Sequence, residues 1–113
     1  MLVKSLATAQ PYEAPNHRLI DSVRLLGMEP DGSTHFWVGH STVHPGGTVG
    51  PDASPIEKVY VVLSGQVVIT SGGKLQTLGP LDACRIPPNE TRSFINQQDT
   101  PATLLVIMPT QPT

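Results

Sequence analysis

The chain has 113 residues, the length of a single domain, which is enough to bury a core without disulfides or a structural metal. Charged residues make up only 14% of it and the formal net charge is -2, so the composition argues against a nucleic-acid partner and a polybasic membrane patch. The single cysteine, Cys84, excludes an internal disulfide, and no apolar run reaches the ~20 residues of a membrane span, so we expect a cytoplasmic protein without a membrane partner.

Proline and glycine punctuate the whole sequence. Twelve prolines and ten glycines interrupt the chain too often for long helices, because proline removes a backbone donor and glycine lowers helix stability. The pattern predicts an all-β protein of about eight or nine short strands. Residues 1–16 are predicted to form an extended N-terminal arm, and residues 17–113 the domain itself.

Alternation of apolar and polar residues places the first strands. It is partial from His17 to Met28, which predicts a strand interrupted near Asp21, and Pro30 to Ser33 have the composition of a turn. From Thr34 to His44 the alternation is sharp. One face of this predicted strand carries Phe36, Val38, His40, Thr42 and His44, and the other carries His35, Trp37, Gly39, Ser41 and Val43.

The second half of the chain consists of predicted short strands separated by glycine and proline. Pro45 to Gly47 predict a turn, and the valine-rich run from Lys58 to Ile69 predicts a strand buried on both faces. Ser71 to Lys74 predict a hairpin. Further short strands are predicted at Leu75–Leu78, Cys84–Ile86, Ser93–Asn96 and Ala102–Met108.

Two stretches carry the functional signal, PGGTVGPDASPIEKVYVVLSG at residues 45–65 and LDACRIPPNETRSFIN at residues 81–96. Their spacing resembles the two motifs of the cupin family. The first motif reads Gly, five residues, His-x-His, three or four residues, Glu, six residues, Gly, and it fits from Gly46 to Gly65. In the second motif, the family's Gly, Pro, Gly, His and Asn fall on Leu81, Pro87, Asn89, Arg92 and Asn96.

The resemblance covers the chain from Phe36 to Met108 and implies a cupin jelly-roll β-barrel of two antiparallel sheets. The predicted strand count agrees with that architecture. Because many small cupins pack in pairs, sheet against sheet, the resemblance also implies a homodimer. Protection of exposed strand edges is an independent reason to expect one.

The family's metal-ligand positions hold other residues in this chain. They fall on Asp52, Ser54, Lys58 and Arg92. A transition metal needs imidazole, thiolate or carboxylate donors, and neither lysine nor arginine offers a lone pair at neutral pH. We therefore expect neither a metal nor another cofactor there.

The two basic residues indicate a different ligand. The motif frame and the period of a strand place Lys58 and Tyr60 on one inward face and Arg92 on another. A buried cation needs an anion, so we expect an anionic, carboxylate-bearing small molecule in the barrel. The expected binding residues are Arg92, Asp52, Ser54, Glu57 and Asn96. Because neighbouring cations lower the pKa of a lysine, Lys58 and Tyr60 are candidate catalytic residues for proton transfer in an isomerase, epimerase or lyase.

The register at Glu57 and Lys58 has an alternative. A one-residue bulge near Pro55 would turn Lys58 outward and Glu57 inward, where Glu57 and Arg92 would form a buried ion pair.

His44 is a further catalytic candidate at the pocket mouth, because imidazole titrates near neutral pH.

Two other function classes stay open. One is a non-catalytic module that binds or senses a small acid. The other is a metal-dependent cupin, such as a dioxygenase, with ligands drawn from His40, His44 or Glu57. His40 and His44 lie four residues apart, about 13 Å along a strand, which argues against a shared metal.

Overall fold

The computed structural model describes residues 1–28 and 35–110. These ranges contain one short 3-10 helix, Leu6–Thr8, and nine strands. The strands are β1 (Gln10–Tyr12), β2 (His17–Leu26), β3 (Phe36–Asp52), β4 (Lys58–Ser64), β5 (Val67–Ser71), β6 (Lys74–Leu78), β7 (Ala83–Ile86), β8 (Arg92–Ile95) and β9 (Ala102–Pro109). No helix in the described ranges is long and apolar enough to cross a membrane.

The strands form a nearly closed antiparallel barrel, which confirms the all-β jelly-roll prediction. The pairing order is β6-β5-β8-β3-β9-β4-β7, with β2 along the other edge of β3. Residues Phe36–Val43 of β3 pair with β9, and its later part, through Asp52, pairs with β8. The long β3 therefore belongs to both sheets and joins them.

Two strand boundaries differ from the sequence prediction. Pro45 to Gly47 lie inside β3 and bend it, because β2 pairs with β3 on both sides of them, at Val43 and at Thr48. The valine-rich run from Lys58 to Ile69 is two strands, separated at Gly65, whose φ is +74°. A side chain there would lie 2.7 Å from the Ala102 backbone.

The N-terminal strands also differ in detail from the prediction. β2 is continuous through Asp21, and its irregularities lie at Leu19, which has φ 56°, and before Leu26. The arm contains the 3-10 helix and β1, which pairs with β2 of the same chain. The predicted turn at Pro30 to Ser33 and the predicted strand start at Thr34 lie outside the described residues.

The inward faces of both sheets form one core. Its buried members are Val43, Val49, Tyr60, Val62, Val67, Ile69, Leu78, Ile86, Phe94, Ala102 and Leu104. Because side chains alternate along a strand, the residues between them lie on the outer surface of the barrel.

The outer surface of β3, β9 and β4 is apolar. Register aligns Val38, Ile107 and Val59 in one row across the three strands. The next row is His40, Leu105 and Val61. We call these six residues the outer apolar face. All six are half-buried, and none of them is a lysine, arginine, aspartate or glutamate.

Candidate functional site

A cavity of about 220 Å³ lies inside the barrel beneath β1. Its lining residues are Tyr12, Ala14, His17, Trp37, Ser41, Lys58, Tyr60, Arg92, Phe94, Val106 and Met108. Tyr12 and Ala14 come from the N-terminal arm, so the arm contributes directly to the cavity wall.

Arg92 is a buried cation of this cavity. Arg92 is only 3% exposed, and its Nε donates a 2.9 Å hydrogen bond to the hydroxyl of Tyr60. Its Nη1 donates to the backbone carbonyl of Asp52 at 3.2 Å and lies 3.8 Å from the Asp52 carboxylate. The carboxylate is about one-third exposed, so it compensates the buried charge only in part.

Lys58 supplies a second cation to the same cavity. Burial lowers the pKa of its ammonium group, and the positive charge of Arg92 lowers that pKa further, whereas Asp52 raises it. Burial and a neighbouring cation both disfavour the charged ammonium, whereas a neighbouring carboxylate favours it.

Tyr60 connects the cations to the apolar core. Burial raises the pKa of its phenol, although the charge and hydrogen bond of Arg92 act in the opposite direction. Its ring contacts Phe94 edge to face, with ring centroids 5.5 Å apart. A phenol with a raised pKa keeps its proton at neutral pH and can donate it in a hydrogen bond.

His17 also lines the cavity, although it lies outside both sequence motifs. It is the first residue of β2 and pairs with Val49, which brings it to the end of the barrel occupied by Arg92. Its Nδ1 donates to the carbonyl of Pro15 at 2.7 Å. Burial lowers the pKa of its imidazole, the Pro15 hydrogen bond raises it, and the charges of Arg92 and Lys58 lower it.

Aromatic side chains form the wall under the arm. Trp37 and Tyr12 meet edge to face, with ring centroids 5.2 Å apart. The indole of Trp37 lies over Gly39, where an added Cβ would approach its ring carbons within 2.6 Å. Glycine at this position therefore allows Trp37 to lie flat along the cavity.

A larger cleft, of about 540 Å³, lies between the barrel's edge strands, β6 and β7. It contains Cys84, Arg85 and Glu90 but none of the residues predicted for the site. Burial raises the pKa of the Cys84 thiol, which lowers its reactivity. The smaller cavity is the better candidate because two cations and an imidazole line it.

The structure brings together Lys58, Tyr60 and Arg92, with Asp52 beside Arg92. It leaves Ser54 in the loop before β4, where its hydroxyl accepts a hydrogen bond from the Ile56 backbone. Lys58, rather than Glu57, lines the cavity, so the main register holds.

Three other predicted residues lie outside the cavity. Glu57 pairs with Arg85 on the surface instead of with Arg92. His44 is on the outward face of β3, where its Nε2 lies 2.7 Å from Asp21. The side-chain amide of Asn96 is fully buried and donates to the carbonyls of Val43 and Thr100, so it supports the bend of β3.

The groups at the cavity do not fit a metal. The ammonium of Lys58 and the guanidinium of Arg92 line the cavity, and neither has a lone pair to donate while protonated. Among the described residues, no three His, Cys, Asp or Glu side chains converge as a metal site would require. The structure also does not bring His40, His44 and Glu57 together.

The cupin domain family matches residues 39–108, more than half of the chain. The chain belongs to the cupin family. This cupin is also 41% identical over 106 residues to a Mycobacterium tuberculosis protein named beta-D-galactosidase Rv1717, and the match covers 94% of this chain and 91% of that protein.

Solved cupin structures share the fold at lower identity. The polyketide cyclase RemF from Streptomyces resistomycificus superposes with a TM-score of 0.86 at 23% identity, covering 98% of this chain and 80% of that one. A predicted oxalate decarboxylase from Thermotoga maritima gives 0.80 at 20% identity, covering 96% and 98%. These similarities establish the barrel architecture.

The shared electrostatics of the cavity can be tested by titration. We expect Arg92→Gln to raise the pKa of both Lys58 and His17, because the charge of Arg92 contributes to lowering both. NMR titration of the lysine and imidazole signals measures the two values. The matched control is Arg85→Gln, which removes a surface guanidinium and should leave both pKa values in place. Unmoved values in Arg92→Gln would contradict a common cavity.

Proposed function

We propose that this cupin binds a small carboxylate-bearing molecule between Arg92 and Lys58 and transfers a proton on it without a metal. The observation that carries the proposal is that two cations line one cavity, whereas the carboxylate that pairs with Arg92, that of Asp52, is partly exposed. A bound anion would balance the positive charge of Arg92 and Lys58 that Asp52 balances only in part.

The two basic side chains suit different parts of this task. Arg92 is held in place by Tyr60 and Asp52, so its planar guanidinium is preorganised for a charged hydrogen bond. Lys58 adds a compact charge that stabilises negative charge as it develops on a substrate oxygen. Tyr60 retains its proton and is a hydrogen-bond donor next to both.

The cavity favours a small ligand. Its volume of about 220 Å³ is below the ~300–1,000 Å³ of pockets that hold drug-sized molecules. Trp37 and Phe94 add apolar ring surface to the same cavity wall. A compact acid with an apolar or sugar-like face is therefore the ligand class that fits best. Isomerisation, epimerisation and elimination are the reactions that proton transfer on such a molecule provides.

Binding of carboxylates should depend on Arg92. We expect Arg92→Gln to weaken the binding of a small carboxylate such as pyruvate by about 1.5–3 kcal/mol, which is the value of a hydrogen bond to a charged group. This corresponds to roughly a 10- to 150-fold higher dissociation constant. Calorimetry on chelator-treated protein measures it, with Arg85→Gln as the control. Equal affinity in wild type and Arg92→Gln would refute the anion site.

Hydrolysis of β-D-galactosides is a second candidate, favoured by the 41% identity to the named galactosidase over nearly the whole of both chains. Glycosidases commonly use two carboxylates. The carboxylate of Asp52 lies 3.8 Å from Arg92, and none of the described residues that line the cavity itself is an aspartate or glutamate. Hydrolysis here therefore requires a different partner group. In this second proposal the protonated phenol of Tyr60 is the general acid and the carboxylate of Asp52 takes the other role.

Chromogenic sugars separate the two candidates. A galactosidase should release nitrophenol from nitrophenyl β-D-galactoside in the presence of a chelator. If the cavity prefers anions, the corresponding β-D-galacturonide should react faster, and Arg92→Gln should slow its reaction more than that of the neutral sugar. Release from neither compound would exclude the galactosidase candidate and leave the anion site standing.

We also propose that two copies associate through the outer apolar face. Five of its six side chains are apolar, and burial lowers the pKa of the sixth, the imidazole of His40, which favours its uncharged form. A face of this kind can pack against itself across a twofold axis. The neutral central strands therefore favour a second copy over a charged partner.

Light scattering tests the homodimer. Wild type should have about twice the 12.1 kDa mass of the chain. Leu105→Lys should shift it to the monomer, because a lysine in the middle of the face would be desolvated without a partner. Gln76→Lys, on the exposed part of β6, is the control and should remain dimeric. A wild-type mass equal to one chain would contradict the proposal.

A further inference from the structure

We infer that His17 is the general base of the cavity and takes a proton, through Nε2, from the carbon next to a carbonyl of the bound acid. This inference rests on the proposed anion site and assigns the proton transfer there to a residue outside both cupin motifs.

The Pro15 carbonyl fixes the protonation pattern of His17. A carbonyl oxygen only accepts hydrogen bonds, so the Nδ1 atom that lies 2.7 Å from it must carry a proton. In the neutral ring, the lone pair is then on Nε2. Among the described residues, Nε2 has no hydrogen-bond partner, and the residue lines the cavity.

The position of Pro15 is itself held by the barrel. Asn16 follows it with φ 57°, and the Asn16 carbonyl accepts a 2.9 Å hydrogen bond from the backbone of Gly50 in β3. His17 then begins β2 opposite Val49. The turn at residues 15–16 therefore orients the imidazole in the way that a carboxylate does in a His–Asp pair.

Burial and the surrounding charges together favour the neutral ring, which is the form that can act as a base. Arg92 on β8 and Lys58 on β4 disfavour a further positive charge, while Asp52 on β3 opposes them. The largest effect is burial, which lowers the pKa of His17 from 6.5; the hydrogen bond to Pro15 acts against it, and the two cations act with it. Tyr12 and Tyr60 are the other titratable groups that line the cavity, and burial raises the pKa of both phenols. Glu13 lines an adjoining pocket together with His17.

The step balances with the groups present. The Nε2 lone pair forms a new N–H bond as the substrate C–H bond breaks. The pair of electrons from that bond becomes the carbon–carbon double bond of an enolate, and the carbonyl π electrons move to oxygen. The ammonium of Lys58 and the phenol of Tyr60 stabilise this oxygen, and return of the proton from Nε2 completes the reaction without an oxidant or reductant.

Exchange of the pyruvate methyl protons in deuterated water tests the base. Proton NMR on chelator-treated wild type should show exchange above the protein-free rate. His17→Gln should lower that exchange at least about 100-fold, the low end of general-base contributions, and keep a pyruvate dissociation constant close to that of wild type. His44→Gln, which removes an imidazole on the outward face of β3, should exchange at the wild-type rate.

The outcomes separate the base from the anion site. Exchange by His17→Gln at the wild-type rate overturns the inference, as does wild type that binds pyruvate through Arg92 without exchanging its protons. In both cases the anion site remains. Absence of pyruvate binding by wild type overturns the anion site and the inference with it.

Nitrogen-15 NMR of the imidazole is a second readout that does not depend on turnover. The neutral ring should be protonated at Nδ1, and its pKa should rise when pyruvate binds, because the added negative charge offsets Arg92 and Lys58. Arg92→Gln should remove the response to pyruvate. A ring protonated at Nε2 would overturn the assignment.

Discussion

The buried guanidinium of Arg92 is the interaction on which the site depends. Taking a cation out of water is costly unless hydrogen bonds and opposite charge replace its hydration. Here the replacements come from the Tyr60 hydroxyl on β4 and from the backbone and side chain of Asp52 on β3. These contacts tie β8 to both sheets of the barrel. The positive charge of Arg92 is only partly compensated by these contacts, and it lowers the pKa of both Lys58 and His17.

Each central strand of the barrel serves two surfaces with different chemistry. On β4, Lys58, Tyr60 and Val62 face the cavity and core, whereas Val59 and Val61 belong to the outer apolar face. The strict alternation of side chains forces this division. A continuous valine-rich sequence is therefore compatible with a cavity that contains charged groups on one side and the outer apolar face on the other.

The barrel itself does not determine the chemistry. Cupin structures that superpose closely on this chain bear the names of a cyclase and a decarboxylase, and the more similar relative is named as a galactosidase. The same scaffold can present different side chains from the same strand positions. The identity of the groups around Arg92, rather than the architecture, is thus the basis for any functional assignment.

The sequence by itself determined the strand-rich architecture and the inward faces of two strands, because the period of two and the turn residues are local properties. It correctly predicted that Lys58 and Tyr60 share an inward face and that Arg92 faces inward from another strand. Only the tertiary structure decided which residues meet. His17 reaches the cavity because it pairs with Val49. The side-chain amide of Asn96 is hydrogen-bonded to the Val43 carbonyl at the bend of β3, and His44 faces outward to Asp21. Contacts between residues that are distant in the chain depend on register and bending, which no local pattern encodes.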